Sequence, residues 1–504
     1  MKNIVIYSYS GQGYQEACQL EVAKQYLLDG HNVLLITCGK KIGICNDNRQ
    51  ASSIQCKICK KAQLSRIKSL CGEDISIKSL DELCSNEIDQ LASNMIFNYS
   101  SIDDLKSIRY QNVEIGYAAL SSYVTYTRNI DITFSSSIKA YLDYLMRIQV
   151  KLILIAQTIT ETFKPDLVVI HNGRFAHYKP IYEYAKNNNI DYLITETIIA
   201  ADGTIMKEFF HNSIPHSIDA KTNLISKFWL NYKDVEHKVD HARLFFENRK
   251  YAKFAGDKIY VKDQVLGVLP DTWDSNKENI LIFNSSEDEY FAISSEYDNK
   301  ALFKSQLEGI KRIVENYASD SSKHFTLRVH PNLKNVNYKY HTELYNLNYN
   351  NLTIIPASSV ISTYSLLDAA DKVIVFGSTI GIESTYWGKP TINLAYALYE
   401  NMDVVYCPKS EIELWSLIDN KDLKPKPYTN ALPYGLYYIS DKHDAFKFVD
   451  TGRMLTYPLF KKSIAAHNYY KILGSKRLYA YCKFISIYIT TKVGVFCRFK
   501  RIPV

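Results

Sequence analysis

The sequence predicts an α/β protein of two Rossmann-like domains facing a central cleft, followed by a basic C-terminal tail. Three observations predict it. Short β-rich runs recur along the 504 residues, each ending in Gly, Ser, Asn or Pro and feeding a helical pattern, as in a parallel sheet with crossover helices. The runs fall into two sets, separated by Gly267–Asn276 (GVLPDTWDSN), whose Gly, Pro, Asp and Asn mark a boundary. Polar residues gather just after the strands, where ligands bind in open parallel sheets. The division read from this is a first domain over 1–270 with a Cys-rich insertion at 38–71, a second domain over 271–450, and a tail over 451–504.

Composition narrows the partners. Hydrophobic content of 46% and charged content of 22% are ordinary for a globular chain. The net charge of +7 is uneven: the last 54 residues hold eleven of the 60 Lys and Arg and none of the 53 Asp and Glu. The body is therefore slightly acidic, which argues against a nucleic-acid partner and for a tail that meets an anionic surface. Ten Cys in this length is not a disulfide scaffold. No secretory leader is legible at the start and no run is long and apolar enough to span a bilayer. The expectation is a cytoplasmic protein, peripheral at the inner membrane face.

In chain order, Asn3–Tyr7 reads as a buried strand, Ser10-Gly11-Gln12-Gly13 as a turn, Tyr14–Leu28 as a helix and Asn32–Thr37 as a second strand. The turn lacks the third Gly of a dinucleotide fingerprint. Cys38, Cys45, Cys56 and Cys59 follow, with Cys56 and Cys59 as a C-x-x-C, a spacing that chelates zinc. A structural zinc there would order a loop too polar to order itself; free thiols are the alternative. Residues 61–110 read as helical, as do Gly116–Tyr126, Ser135–Thr162 and 220–256. Asp166–Ile170 is a strand ending in His171-Asn172-Gly173-Arg174, and Tyr192–Thr195 another ending at Glu196. His171, Arg174 and Glu196 thus fall at equivalent strand ends on one side of the cleft.

The second half repeats the theme. Asn279–Phe283 leads into Asn284-Ser285-Ser286-Glu287-Asp288-Glu289, Thr326–Val329 into His330-Pro331-Asn332, and Lys372–Phe376 into Gly377-Ser378-Thr379-Ile380-Gly381-Ile382-Glu383. Gly377 and Gly381 would let backbone amides approach a phosphate, with the Ser378 and Thr379 hydroxyls as further donors. In the tail, Leu478, Cys482, Ile485, Ile489, Val493 and Phe496 recur at helical spacing among Lys and Arg, the pattern of a segment lying on an anionic membrane. Packing of the tail onto the body or onto another subunit is the alternative.

The order of these motifs resembles that of bacterial capsule and surface-polysaccharide biosynthesis proteins, a group of GT-B glycosyltransferases. The resemblance runs over about residues 110–395. It covers Gly116 with Ser121-Ser122, Asn172-Gly173-Arg174-Phe175, Glu196, Pro215-His216, Ser285-Ser286-Glu287, Arg328-Val329-His330-Pro331-Asn332, Ser378-Thr379-Ile380-Gly381-Ile382-Glu383 and Gly388-Lys389-Pro390. The His-Pro and Ser-Thr pairs also resemble those of sialyl- and Kdo-type transferases. The resemblance implies sugar transfer from a nucleotide-sugar, with a CMP-sugar favoured, to a growing capsule or lipopolysaccharide O-antigen glycan, free or lipid-linked. It implies His330, Pro331, Ser378, Thr379, Gly381, Glu383 and Ser286 as the donor site, Glu383 accepting from ribose hydroxyls. Glu196 is the expected base, although Thr195-Glu196-Thr197 lacks the Gly of the family motif. Arg174, beside His171, is expected to meet the departing phosphate. No cofactor is expected, and the transfer is expected to be metal-independent. A nucleotide-sugar 2-epimerase of the same architecture, or a non-catalytic assembly or export partner, are the competing readings.

Overall fold

The computed structural model describes residues 1–9, 13–43, 53–72, 75–199, 205–253, 263–440 and 446–449. Two sheets organise it. The first holds β1 (Asn3–Ser8), β2 (Asn32–Thr37), β3 (Ser76–Ser79), β4 (Leu167–His171), β5 (Asp191–Ile199) and β6 (Ile205–His211) in the order β3-β2-β1-β4-β5-β6. All neighbours are parallel except β5 and β6, which form a hairpin. The second holds β7 (Glu278–Phe283), β8 (Lys323–Arg328), β9 (Leu352–Ile355), β10 (Lys372–Val375) and β11 (Thr391–Asn393), all parallel, in the order β11-β10-β7-β8-β9. Read from the other edge, β9-β8-β7-β10-β11 repeats β3-β2-β1-β4-β5. Each domain therefore has a point where the strand order reverses, between β1 and β4 and between β7 and β10, and ligands bind such sheets at that crevice. The two-domain Rossmann-like architecture expected of a GT-B chain is present.

The central strands are continuous apolar runs because helices cover both faces. Ile4–Ser8 and Leu167–His171 are fully buried. The helix Ser136–Phe163 buries Ile138, Tyr141, Leu142, Leu145 and Met146 at helical spacing against the first sheet's core. The helix Ile115–Thr127 is buried almost all round. Gly116 is required there: a Cβ would lie 1.7 Å from the Leu105 carbonyl oxygen.

Several elements differ from the sequence expectation. Residues 61–110 are not wholly helical: they contain β3, a short polar edge strand with one buried residue, too weak an alternation to read. β5 runs past Glu196 to Ile199 because β6 pairs with it as a hairpin, Glu196 opposite Glu208. The 220–256 helix is two helices, Ile218–Leu230 and Lys238–Lys250. Both pack on Leu432–Ile439, and Phe245 and Phe246 share a core with Ile382, Tyr399 and Tyr434. The chain then returns to the first domain. Phe446 and Val449 join the core beside Leu20 and Val22, and the buried Glu21 carboxylate accepts the Phe448 and Val449 amides at 2.9 and 3.0 Å and Lys207 Nζ at 3.1 Å. The tail, 451–504, lies outside the described residues. No helix among the described residues is long and apolar enough to cross a membrane.

Candidate functional site

At the β7/β10 crevice a cavity of about 440 Å³ opens at the carboxyl ends of β7, β8 and β10, within the roughly 300–1,000 Å³ of small-molecule sites. Its lining includes Ser286, His330, Pro331, Ser378, Thr379 and Glu383. Six of the seven residues expected to hold a donor are thus brought to one wall.

Strand-end amides hold these loops in register. Asn284 Oδ1 accepts from the His330 amide at 2.8 Å, and Asn393 Oδ1 accepts from the Gly377 amide at 3.0 Å. Gly377 takes φ +75°, a left-handed turn that needs glycine, and a Cβ there would lie 2.2 Å from the Tyr396 carbonyl oxygen. The chain then enters the short helix Ile380–Tyr386 with Ser378 and Thr379 half-buried in front of it. Gly381 does not line the cavity and serves packing instead of a phosphate: a Cβ would lie 2.3 Å from the Tyr399 hydroxyl.

The His330 ring caps its own turn. Nδ1 accepts from the Asn332 amide at 3.2 Å, which leaves the ring proton on Nε2. Burial, with the positive charges of Arg128 and Arg328 nearby, pushes His330 down to about 4, so the ring is neutral at pH 7. Glu383 is 1% exposed, and its carboxylate already has partners. Arg249 Nε donates at 2.9 Å and the Tyr364 hydroxyl donates to the other oxygen. Its contacts are those of an anchor for Arg249 rather than of an open ribose acceptor. Behind this wall Glu287 is pushed up to about 7, by burial first and then by Asp131 and Asp288.

The first domain's strand ends are built differently. Asn172 and Gly173 turn the chain after β4 with φ of +59° and +75°. Asn172 Nδ2 then donates to Glu196 Oε1 at 2.6 Å and orients the carboxylate. His171 Nε2 lies 3.8 Å from the same oxygen, too far for a hydrogen bond. His171 is 4% exposed, and its Nδ1 has no partner among the described residues, nor has the buried Tyr9 hydroxyl. Glu196 and His171 are therefore brought together at the β4/β5 end.

Arg174 is not with them. It is 8% exposed; its Nε donates to Ser121 Oγ at 2.6 Å and its Nη atoms to the carbonyls of Glu289 and Phe291 in the other domain. The expectation that Arg174 meets a departing phosphate is corrected on these contacts: the guanidinium holds the loop after β7. Ser122, the other serine of the motif, accepts from the Ala176 amide at 2.9 Å.

Cys56 and Cys59 stand on the helix Ser53–Cys71 and not in the expected loop. Neither they nor Cys38 is in a disulfide among the described residues, and Cys45 lies outside those residues. Among the described residues no three His, Cys, Asp or Glu are placed to share a metal ion.

Sequence reasoning missed Arg249, Tyr290 and Tyr364, which line the cavity, and Arg128, which touches two of its loops. Arg249 comes from a helix N-terminal to the boundary read from the sequence, so no local signal joins it to His330.

No family model and no curated protein matches the chain. Solved structures similar to it include the Thermosulfurimonas dismutans KpsC β-Kdo 2,4 transferase, at 13% identity and TM-score 0.35 over 54% of this chain and 79% of that one. The calicheamicin glycosyltransferase CalG4 is similar at 10% identity and TM-score 0.25, over 87% and 94%. The UDP-GlcNAc 2-epimerase of Neisseria meningitidis is similar at 13% identity and TM-score 0.23, over 87% and 97%.

Proposed function

We propose that the chain is a glycosyltransferase that takes a sugar from a nucleotide-sugar, a CMP-sugar favoured, and adds it to a growing capsule or lipopolysaccharide glycan. One observation carries the reading: Ser286, His330, Pro331, Ser378 and Thr379, from three separate strand ends, line a single cavity at the point where the second sheet reverses its order. A neutral His330 and the two hydroxyls offer hydrogen bonds to a phosphate, and Arg249 stands in the same wall. The departing nucleotide phosphate needs such donors.

The acceptor hydroxyl needs a group to take its proton. Glu196 is proposed for that role, because its carboxylate is oriented by Asn172 and partly open, whereas His171 beside it is buried. Transfer needs no metal in this reading. The tail, 451–504, is proposed to hold the protein at the inner membrane face.

Incubating the full chain with CMP-, UDP- and GDP-sugars and a lipid-linked oligosaccharide tests the reading. Release of free nucleotide with extension of the glycan is expected. No turnover of any donor would overturn it. Conversion of a UDP-HexNAc to an epimer with no acceptor present would replace it with the epimerase. A further outcome, polysaccharide made normally in cells carrying His330→Ala and Glu196→Ala, would leave only the assembly partner.

A further inference from the structure

The donor cavity belongs to the second domain, yet side chains of the first domain hold its wall. Arg128 is the centre of that contact. It closes the helix Ile115–Thr127 in the left-handed conformation, φ 58° and ψ 16°, with its amide donating to the Val124 carbonyl. Glycine or asparagine usually fills that position, because a Cβ there costs energy. The guanidinium reaches into the other domain. Nε and Nη2 make a two-pronged contact with Asp288 at 2.8 and 3.2 Å, and Nη1 donates to the Asn332 carbonyl at 3.1 Å.

Those partners sit on two different loops. Asp288 follows Ser286 in the loop after β7; Asn332 follows His330-Pro331 in the loop after β8. Asn332 Nδ2 completes the junction, donating to Ser286 Oγ at 3.1 Å and Glu289 Oε1 at 2.9 Å. Tyr340 braces it: its hydroxyl bonds the Arg128 carbonyl at 3.1 Å and its amide donates to Asp131 at 2.7 Å. A planar guanidinium with a fixed fork of donors can bridge a carboxylate and a carbonyl at once; an ammonium on a flexible stem is a single point charge.

From this geometry we infer that Arg128 is a positioning residue of the donor site, by which the first domain fixes the two loops that carry Ser286 and His330. Donor affinity then depends on the contact between the domains, and the donor pocket is complete only while that contact is made. The inference rests on the donor-site reading above.

The test uses the full chain and two variants. Arg128→Gly suits the left-handed backbone, so the fold is kept; Asp288→Asn removes the charge on the other side. Melting temperature is read with and without CMP, UDP and GDP, and hydrogen exchange is followed over 284–292 and 330–334. In Arg128→Gly the ligand-free melting temperature is expected to fall by a few degrees, the loss of the Asp288 partner being offset in part by glycine at a left-handed position. Exchange should quicken in both loops, and the best nucleotide should bind about tenfold more weakly, about 1.4 kcal/mol. Asp288→Asn should weaken it similarly, with little added in the double variant. Arg128→Lys should behave like Arg128→Gly.

Unchanged nucleotide affinity in Arg128→Gly overturns the inference, even if exchange quickens. So does a loss of affinity seen with a global loss of stability and no selective change in the two loops. If no nucleotide shifts the native chain, the donor reading fails, and exchange alone decides whether Arg128 holds the loops: quicker in both upholds that, unchanged overturns it.

Discussion

The two domains share a strand order but differ in what they place at the reversal point. In the second domain, Ser378, Thr379 and His330 remain partly open around a cavity, and backbone and Asn side chains carry the support. In the first, His171 and Arg174 are closed off, and Arg174 is bound to Ser121 and to the other domain. One wall opens on a cavity. The other leaves Glu196 as its partly open carboxylate and otherwise supports its neighbour. Equivalent topology therefore does not give equivalent exposure: what differs is whether the polar side chains at a strand end stay open to a cavity or are closed off.

Four measurements bear on that contrast. The largest effect is expected at Glu196. Glu196→Gln should lower turnover by about 10²–10⁴-fold while leaving nucleotide-induced stabilisation intact; a loss of nucleotide binding as well would erase the division between the walls. Next, Arg174→Met removes a charged donor from Ser121 and two carbonyls, and should cost about 3 kcal/mol of stability in urea denaturation. Unchanged stability with lost turnover would return Arg174 to the chemistry.

Glu287 has the next largest effect, and its sign follows from its raised pKa. Its folded value of about 7 lies above its ordinary 4.5, so its contribution is fully present below pH 4.5 and is lost as pH rises through 7. Glu287→Gln should therefore raise stability at pH 8 by about 3 kcal/mol relative to the native chain, a gain that disappears at pH 4. A pH-independent difference would mean the buried acid is not what titrates. The smallest effect is at His330. His330→Ala should weaken the best nucleotide about tenfold, about 1.4 kcal/mol, read as a smaller shift in melting temperature; an undiminished shift would move the donor elsewhere.

Much of this was legible because it is local. The strands that end in Asn284, His330 and Gly377 are apolar runs followed by turn residues, and strand ends converge by the geometry of a parallel sheet. The same local logic misjudged residues whose role depends on distant neighbours. Gly381 looks like a glycine for phosphate approach, but Tyr399 takes the space beside it. Glu383 looks like an open acceptor, but Arg249 and Tyr364 arrive from elsewhere in the chain. Gly116, Ser121 and Ser122 stand among the motifs, and their contacts are packing against Leu105 and support of Arg174 and Ala176.

By itself the sequence determined two parallel α/β domains, the strand ends at which their polar residues collect, and a slightly acidic body before a basic tail. Periodicity and turn chemistry act over a few residues and suffice for that. Only the tertiary structure decided which of those polar residues stay open and which are closed off. It also showed that the wall of the second domain's cavity is held by Arg128 and Arg174 of the first. Ion pairs and hydrogen bonds between residues more than 100 positions apart depend on how the domains pack, and no local pattern encodes that.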